Sequence, residues 1–105
     1  EVVTAQDGRA AWELLSREPI RVVVSDWSMP EMDGLELCSR IRSREGADYV
    51  YFILLTKTCA SESNQESAHA AGVDDFLVKP LSQRDLRLRL SVAERIVGHT
   101  TRQLQ

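Results

Sequence analysis

Residues 22–26 read Val-Val-Val-Ser-Asp, and this stretch constrains the fold more than any other in the chain. Successive side chains of a strand point to opposite faces, so three consecutive valines put apolar groups on both. They predict a strand covered on both sides, the condition of a parallel sheet in an α/β protein. The apolar run stops at a carboxylate, Asp26. Met29-Pro30-Glu31-Met32-Asp33-Gly34 follows closely, so the chain must turn before Leu35 opens a helical pattern. Open α/β sheets bind ligands beyond the carboxyl ends of their strands. Asp26 is therefore the leading candidate for chemistry.

The rest of the chain alternates. Val2-Val3-Thr4 predicts a short strand closed by Asp7-Gly8, and residues 9–17 carry Ala11, Leu14 and Leu15 at helical spacing until Pro19. Leu35, Leu37, Cys38 and Ile41 predict an amphipathic helix over residues 34–44, with Asp33 as its N-cap. Residues 49–55 are wholly apolar and predict a second buried strand ending at Thr56. Residues 61–71 contain no apolar side chain larger than Ala, so the helix expected there is weakly anchored and plastic, and Gly72 stops it. Phe76-Leu77-Val78 predicts a third buried strand ending at Lys79-Pro80, and Ser82 is placed to cap a long helix reaching about Gly98. Strands alternating with helices imply right-handed crossovers and a parallel sheet covered on both faces.

Three strands thus end at Asp26, Thr56 and Lys79, and in a parallel sheet those ends share one edge. A carboxylate there can attack a phosphoryl group whose oxygens are held by a hydroxyl and an ammonium. Taken singly, a strand-end Thr, a surface Lys before Pro and a helix-capping Asp are ordinary. Their convergence is the signal.

Composition narrows the class. At 105 residues the chain builds one domain, and 13 basic against 16 acidic residues give a net charge of −3 with no nucleic-acid footprint. No apolar run is long enough to span a membrane, and no signal-peptide pattern opens the chain. Cys38 and Cys59 lack metal-type spacing and read as reduced thiols of a cytoplasmic protein.

Asp26-x-x-Met29-Pro30-x-Met32-Asp33-Gly34, then Thr56, then Gly72-x-Asp74-Asp75-Phe76 and Lys79-Pro80, resemble the receiver domain of two-component response regulators over nearly the whole chain. The resemblance implies a flavodoxin-like α/β fold, a doubly wound parallel sheet, with a histidine kinase or phosphotransfer protein phosphorylating Asp26. It implies magnesium as cofactor, with Asp26 and the Ser28 carbonyl as ligands, Thr56 and Lys79 as phosphate-sensing residues, and Phe76 as the aromatic switch. Such a domain is no enzyme beyond self-catalysed transfer to and hydrolysis from Asp26.

The chain departs from the family at its start. It opens at what would be the second strand, so the first βα unit, about 25 residues by usual element lengths, is missing. The acidic pair of that unit is missing with it, which leaves the magnesium site incomplete. Glu1 and Asp7 are poor substitutes. In the family's strand order the missing strand lies between the next two. Val2-Val3-Thr4 is then expected to lack a neighbour and residues 20–25 to have an open edge, which favours a swapped or edge-paired dimer or a chain cut from a longer one. After Thr56 the family usually has a small residue; here it is Lys57, which either screens the phosphoryl group or lies out in water.

On the last helix, Leu86, Leu90, Ala93 and Val97 form one stripe and Leu88, Val92 and Ile96 a second, turned away from it. The second predicts a face for a homodimer or an output domain, the alternative being a wide core face. Asp85 and Arg89 are spaced to pair, and the basic residues from Lys79 to Arg102 read as a solvated face. The receiver domain is expected over residues 1–97, with 98–105 a linker toward a C-terminal output domain. His69 is expected to face solvent, Trp12 to be semi-exposed on its helix, and Trp27 to flank the site. The competing reading is a phosphorylation-independent interaction module, a pseudo-receiver. A phosphatase of related fold ranks lower, because no second acid–base residue is supplied.

Overall fold

The computed structural model describes residues 2–5, 7–29, 32–44, 49–57 and 62–104, with the side chains of Val3, Ala5, 62–64 and 99–104 left aside. Four strands, β1 (Val2–Ala5), β2 (Val22–Asp26), β3 (Tyr51–Thr56) and β4 (Asp75–Val78), alternate with four helices, α1 (Gly8–Arg17), α2 (Gly34–Arg42), α3 (Glu62–Ala71) and α4 (Gln83–Leu104). All strand pairs are parallel, in the order β1-β2-β3-β4. Each crossover therefore steps the same way across the sheet, and one handedness puts α1, α2 and α3 on one face.

The core divides accordingly. Val23, Phe52 and Leu54 pack with Ala11 and Leu15 of α1, Leu37, Cys38 and Ile41 of α2, and Ala68 of α3. Val22, Val24, Tyr51, Ile53 and Leu77 pack on the other face against Ala93 and Val97 of α4 alone. The run of valines is thus covered on both sides, as its composition requires. Asp7 caps α1 through Arg9 and Ala10 N–H, Asp33 caps α2 through Glu36 N–H at 2.8 Å, and the Ser82 hydroxyl accepts from Asp85 N–H at 3.0 Å. Gly72 ends α3 at φ 93, a left-handed conformation.

Four expectations are corrected. β1 is not without a neighbour: Val2 to Ala5 pair with Val22 to Ser25, which closes the edge of β2 and removes the basis for a strand-swapped dimer. Backbone groups that would otherwise be left without ladder partners drive this closure. The strand order consequently does not reverse, and the second face is covered only because α4 returns across it. β4 is not fully buried. Among its residues Leu77 alone is buried, because the strand lies at the edge of the sheet.

The last helix does not stop near Gly98; it continues to Leu104, so most of the expected linker at 98–105 is helical. An interior Gly costs a helix about 1 kcal/mol and does not terminate it without a capping turn. Finally, Arg89 pairs with Asp75 of β4 at 3.5 Å rather than with Asp85. Asp75 is less exposed than a helix-surface carboxylate, which strengthens its attraction for the guanidinium.

Candidate functional site

Asp26 is the last residue of β2 and lies in register with Leu55 of β3. Two main-chain bonds fix the loops on either side of β3: Trp27 N–H donates to the Leu55 carbonyl at 2.9 Å, and Lys79 N–H donates to the Thr56 carbonyl at 2.7 Å. Gly34 lets α2 begin directly under this edge, because a Cβ there would lie 2.5 Å from the Asp26 carbonyl and 2.7 Å from Leu54 Cδ1. The buried Ser25 hydroxyl donates to the Asp26 carbonyl at 2.8 Å. The carboxylate is thus carried on a packed strand end rather than on a free loop.

The predicted trio converges. Lys79 Nζ lies 2.6 Å from Asp26 Oδ1, with both side chains 32% exposed. Thr56, 8% exposed, lines the same cavity of about 470 Å³ together with Trp27, Ser28, Leu55 and Lys57. The Lys79–Pro80 peptide bond is cis. Trp27 flanks the site as expected and meets Phe76 edge to face at a centroid distance of 6.0 Å. The sequence singled out both rings but gave no sign of their contact. His69 is exposed and Trp12 half-buried, as expected.

The donor set is poor for magnesium. A hard divalent cation takes an octahedron of oxygens, usually including one or two carboxylates. Here the lining holds one carboxylate, already paired with an ammonium, beside a second lysine. Asp7 caps α1 instead, Glu1 lies outside the described residues, and no group of three or more His, Cys, Asp or Glu able to hold a metal occurs among those described. Among the described residues the donor set does not fit the ion.

At the opposite end of the sheet the structure has a polar cluster with no precedent in the sequence reading. Arg42, from the end of α2, donates to the carbonyls of Val50 and Gly72 and to Asp74 Oδ2. Asp74 also accepts from Phe52 N–H at 2.8 Å and from the Tyr49 hydroxyl, while the guanidinium lies 4.7 Å from the Tyr49 ring centroid. Burial, and then the hydrogen bond to Asp74, push the Tyr49 hydroxyl up to about 12. Burial likewise raises the Cys38 thiol to about 11, so it stays protonated; Cys59 lies outside the described residues.

Among the described residues, this parallel α/β sheet carries at its carboxyl edge a carboxylate ion-paired to a strand-end lysine, within a flavodoxin-like fold. The chain belongs to the response regulator receiver domain family, whose pattern it matches over residues 1–91. It is 35% identical over 91 residues to the chemotaxis protein CheY homolog of Campylobacter jejuni, covering 86% of this chain and 69% of that protein. The Vibrio cholerae chemotaxis protein CheY4 superposes with a TM-score of 0.79 at 22% identity, covering 88% of this chain and 96% of that one. The receiver domain of the Pseudomonas aeruginosa sensor histidine kinase PA1611 superposes at 0.71 with 28% identity, covering 90% of this chain and 74% of that one, and is described with magnesium coordinated in its active-site cleft. Receiver domains are two-component signalling modules that interact with histidine kinases and are not enzymes in their own right. No described helix is long and apolar enough to cross a membrane.

Proposed function

We propose that Asp26 is the phosphoacceptor of this receiver domain, charged by a histidine kinase or phosphotransfer protein in the cytoplasm. The observation that carries this reading is the 2.6 Å ion pair between Asp26 and Lys79 in a cavity also lined by Thr56. A carboxylate oxygen of Asp26 attacks phosphorus as the P–N bond of the donor's phosphohistidine breaks. The leaving imidazole nitrogen keeps the electron pair and takes up a proton. Lys79 steadies the phosphoryl oxygens in the product, and the Thr56 hydroxyl donates to one of them. The transfer is self-catalysed in that the chain supplies the nucleophile and the cation.

Phe76 serves as the switch through its contact with Trp27, which couples a ring beside the acceptor to β4. The signal leaves through α4, where Leu88, Val92 and Ile96 offer a face for a second copy or for an output domain beyond residue 98. Magnesium is the family's cofactor, and here Asp26 and the Ser28 carbonyl would be its only protein ligands among the described residues, an incomplete site. Incubation with phosphoramidate and intact-mass analysis tests the acceptor. The wild type should gain one phosphoryl group and Asp26→Asn none; a gain on the Asn variant would refute the assignment.

A further inference from the structure

We infer that the groove between α1 and α2 binds a planar aromatic monocarboxylate, its ring laid on Trp12 and its carboxylate held by Arg44. The groove shares no lining residue with the cavity at Asp26, so this inference goes beyond the proposed function and stands apart from it.

The shape of the groove comes from two unlike walls. On α1, Trp12 is half-buried and packs against the core under the two helices. On α2, Glu36, Ser39, Arg40 and Ser43 recur at three- and four-residue spacing along the outer edge of the helix. Ser39 and Ser43 are short, and the Ser43 hydroxyl turns back to donate to the Ser39 carbonyl at 2.9 Å. That wall is therefore low beside the indole. With Arg44 these residues enclose about 370 Å³, which falls in the range of small-ligand pockets. A flat ring fits such a space better than a branched group does, and the indole face gives it a surface to stack on.

Charge selects the acid. Glu36 and Arg40 pair with each other at 3.0 Å, so the single positive charge left in the lining resides on Arg44. Arg44 makes no ion pair with a described carboxylate. Its Nη1 donates to the Leu15 carbonyl at 3.1 Å, while its Nε is buried with no hydrogen-bond partner among the described residues. A buried N–H without an acceptor is costly and calls for an explanation. The guanidinium carbon lies 6.0 Å from the Trp12 ring centroid, the outer reach of a cation–π attraction, so the indole holds it weakly. Turning off the indole presents Nε and Nη2 as a two-donor edge, which a carboxylate accepts through both oxygens. The ring joined to that carboxylate then takes the place over Trp12 that the guanidinium has left. A carboxylate carries the one charge the groove can match, whereas a phosphate monoester carries closer to two.

The test follows the indole N–H signals of Trp12 and Trp27 in nitrogen–proton correlation spectra as the chain is titrated with β-naphthoate. Trp12→Phe assigns the two signals. The Trp12 signal should move saturably with a Kd of about 1 mM or tighter, which a ligand of this size reaches at modest efficiency per atom. β-Naphthamide, of the same shape but uncharged, should bind about tenfold more weakly or worse, because it forgoes the charged hydrogen bonds. Arg44→Gln should weaken naphthoate to the level of the amide while keeping the dispersed spectrum of a folded chain. Arg44→Lys, which keeps the charge but loses the planar fork, should fall between the two. A Trp12 signal that stays still up to about 10 mM naphthoate overturns the inference. So does equal binding of the amide, or an Arg44→Gln affinity equal to wild type. Movement of the Trp27 signal without that of Trp12 also overturns it, since the acid then sits at the Asp26 cavity instead.

Discussion

Replacing Asp74 by Ala should destabilise the domain far more than a charge at a loop normally would. The Asp74 carboxylate, 19% exposed, accepts from Arg42 at 2.7 Å, from the Phe52 amide at 2.8 Å and from the Tyr49 hydroxyl. Without it the Phe52 amide loses its acceptor beside a fully buried ring, which costs about 1–3 kcal/mol. Arg42 keeps its bonds to the Val50 and Gly72 carbonyls, so its charge is not stranded, and the lost ion pair adds about 1 kcal/mol. The total is about 3 kcal/mol, which for a domain of this size lowers the thermal midpoint by about 15 °C.

Asp74→Asn keeps an acceptor for the Phe52 amide and should lose only about 1 kcal/mol. Urea denaturation with an unchanged slope would measure both. Phosphoryl uptake at Asp26 in folded protein should be the same in the two variants, since the cluster lies at the other end of β3. An Asp74→Ala loss below about 1 kcal/mol, or equal losses for Ala and Asn, would refute the bookkeeping of this cluster.

Two further outcomes are expected. The Tyr49 hydroxyl is raised in the folded state to about 12 from 10.0, so its contribution is fully present below pH 10 and is lost as pH rises toward 12; Tyr49→Phe should flatten that alkaline decline in urea midpoints. On α4, Val97→Ala removes methyls from a buried site and should cost about 2 kcal/mol, whereas Val92→Ala on the exposed stripe should cost under about 0.5 kcal/mol, and equal costs would contradict the assigned faces.

The parts of the fold that follow from local patterns were legible in the sequence. The valine run, the caps at Asp33 and Ser82, and the two stripes of α4 each carry their own chemistry within a few residues. The trio of Asp26, Thr56 and Lys79 was legible because strand ends in a parallel sheet share an edge whatever their separation along the chain. Contacts set by three-dimensional approach were not. Arg42, Tyr49 and Asp74 belong to different segments, and nothing in their spacing announces a cluster. Arg89 had a suitable carboxylate four residues away and took Asp75, across the gap to β4, instead. The neighbour of β1 departs from the family's strand order because a strand beside an open edge pairs with it.

That pairing has a consequence for how the chain assembles. With strands in sequential order, every sheet contact joins units adjacent along the chain, so the ladder can grow one βα step at a time with modest loop closure at each step. Only α4 reaches back across the molecule, seating Ala93 and Val97 on Val22 and Val24 and bringing the Val97 carbonyl within 3.5 Å of the Arg21 guanidinium. The last helix is then the clasp that turns a stepwise array into one cooperative unit. Cooperative unfolding of the domain as one unit then requires α4 to stay docked.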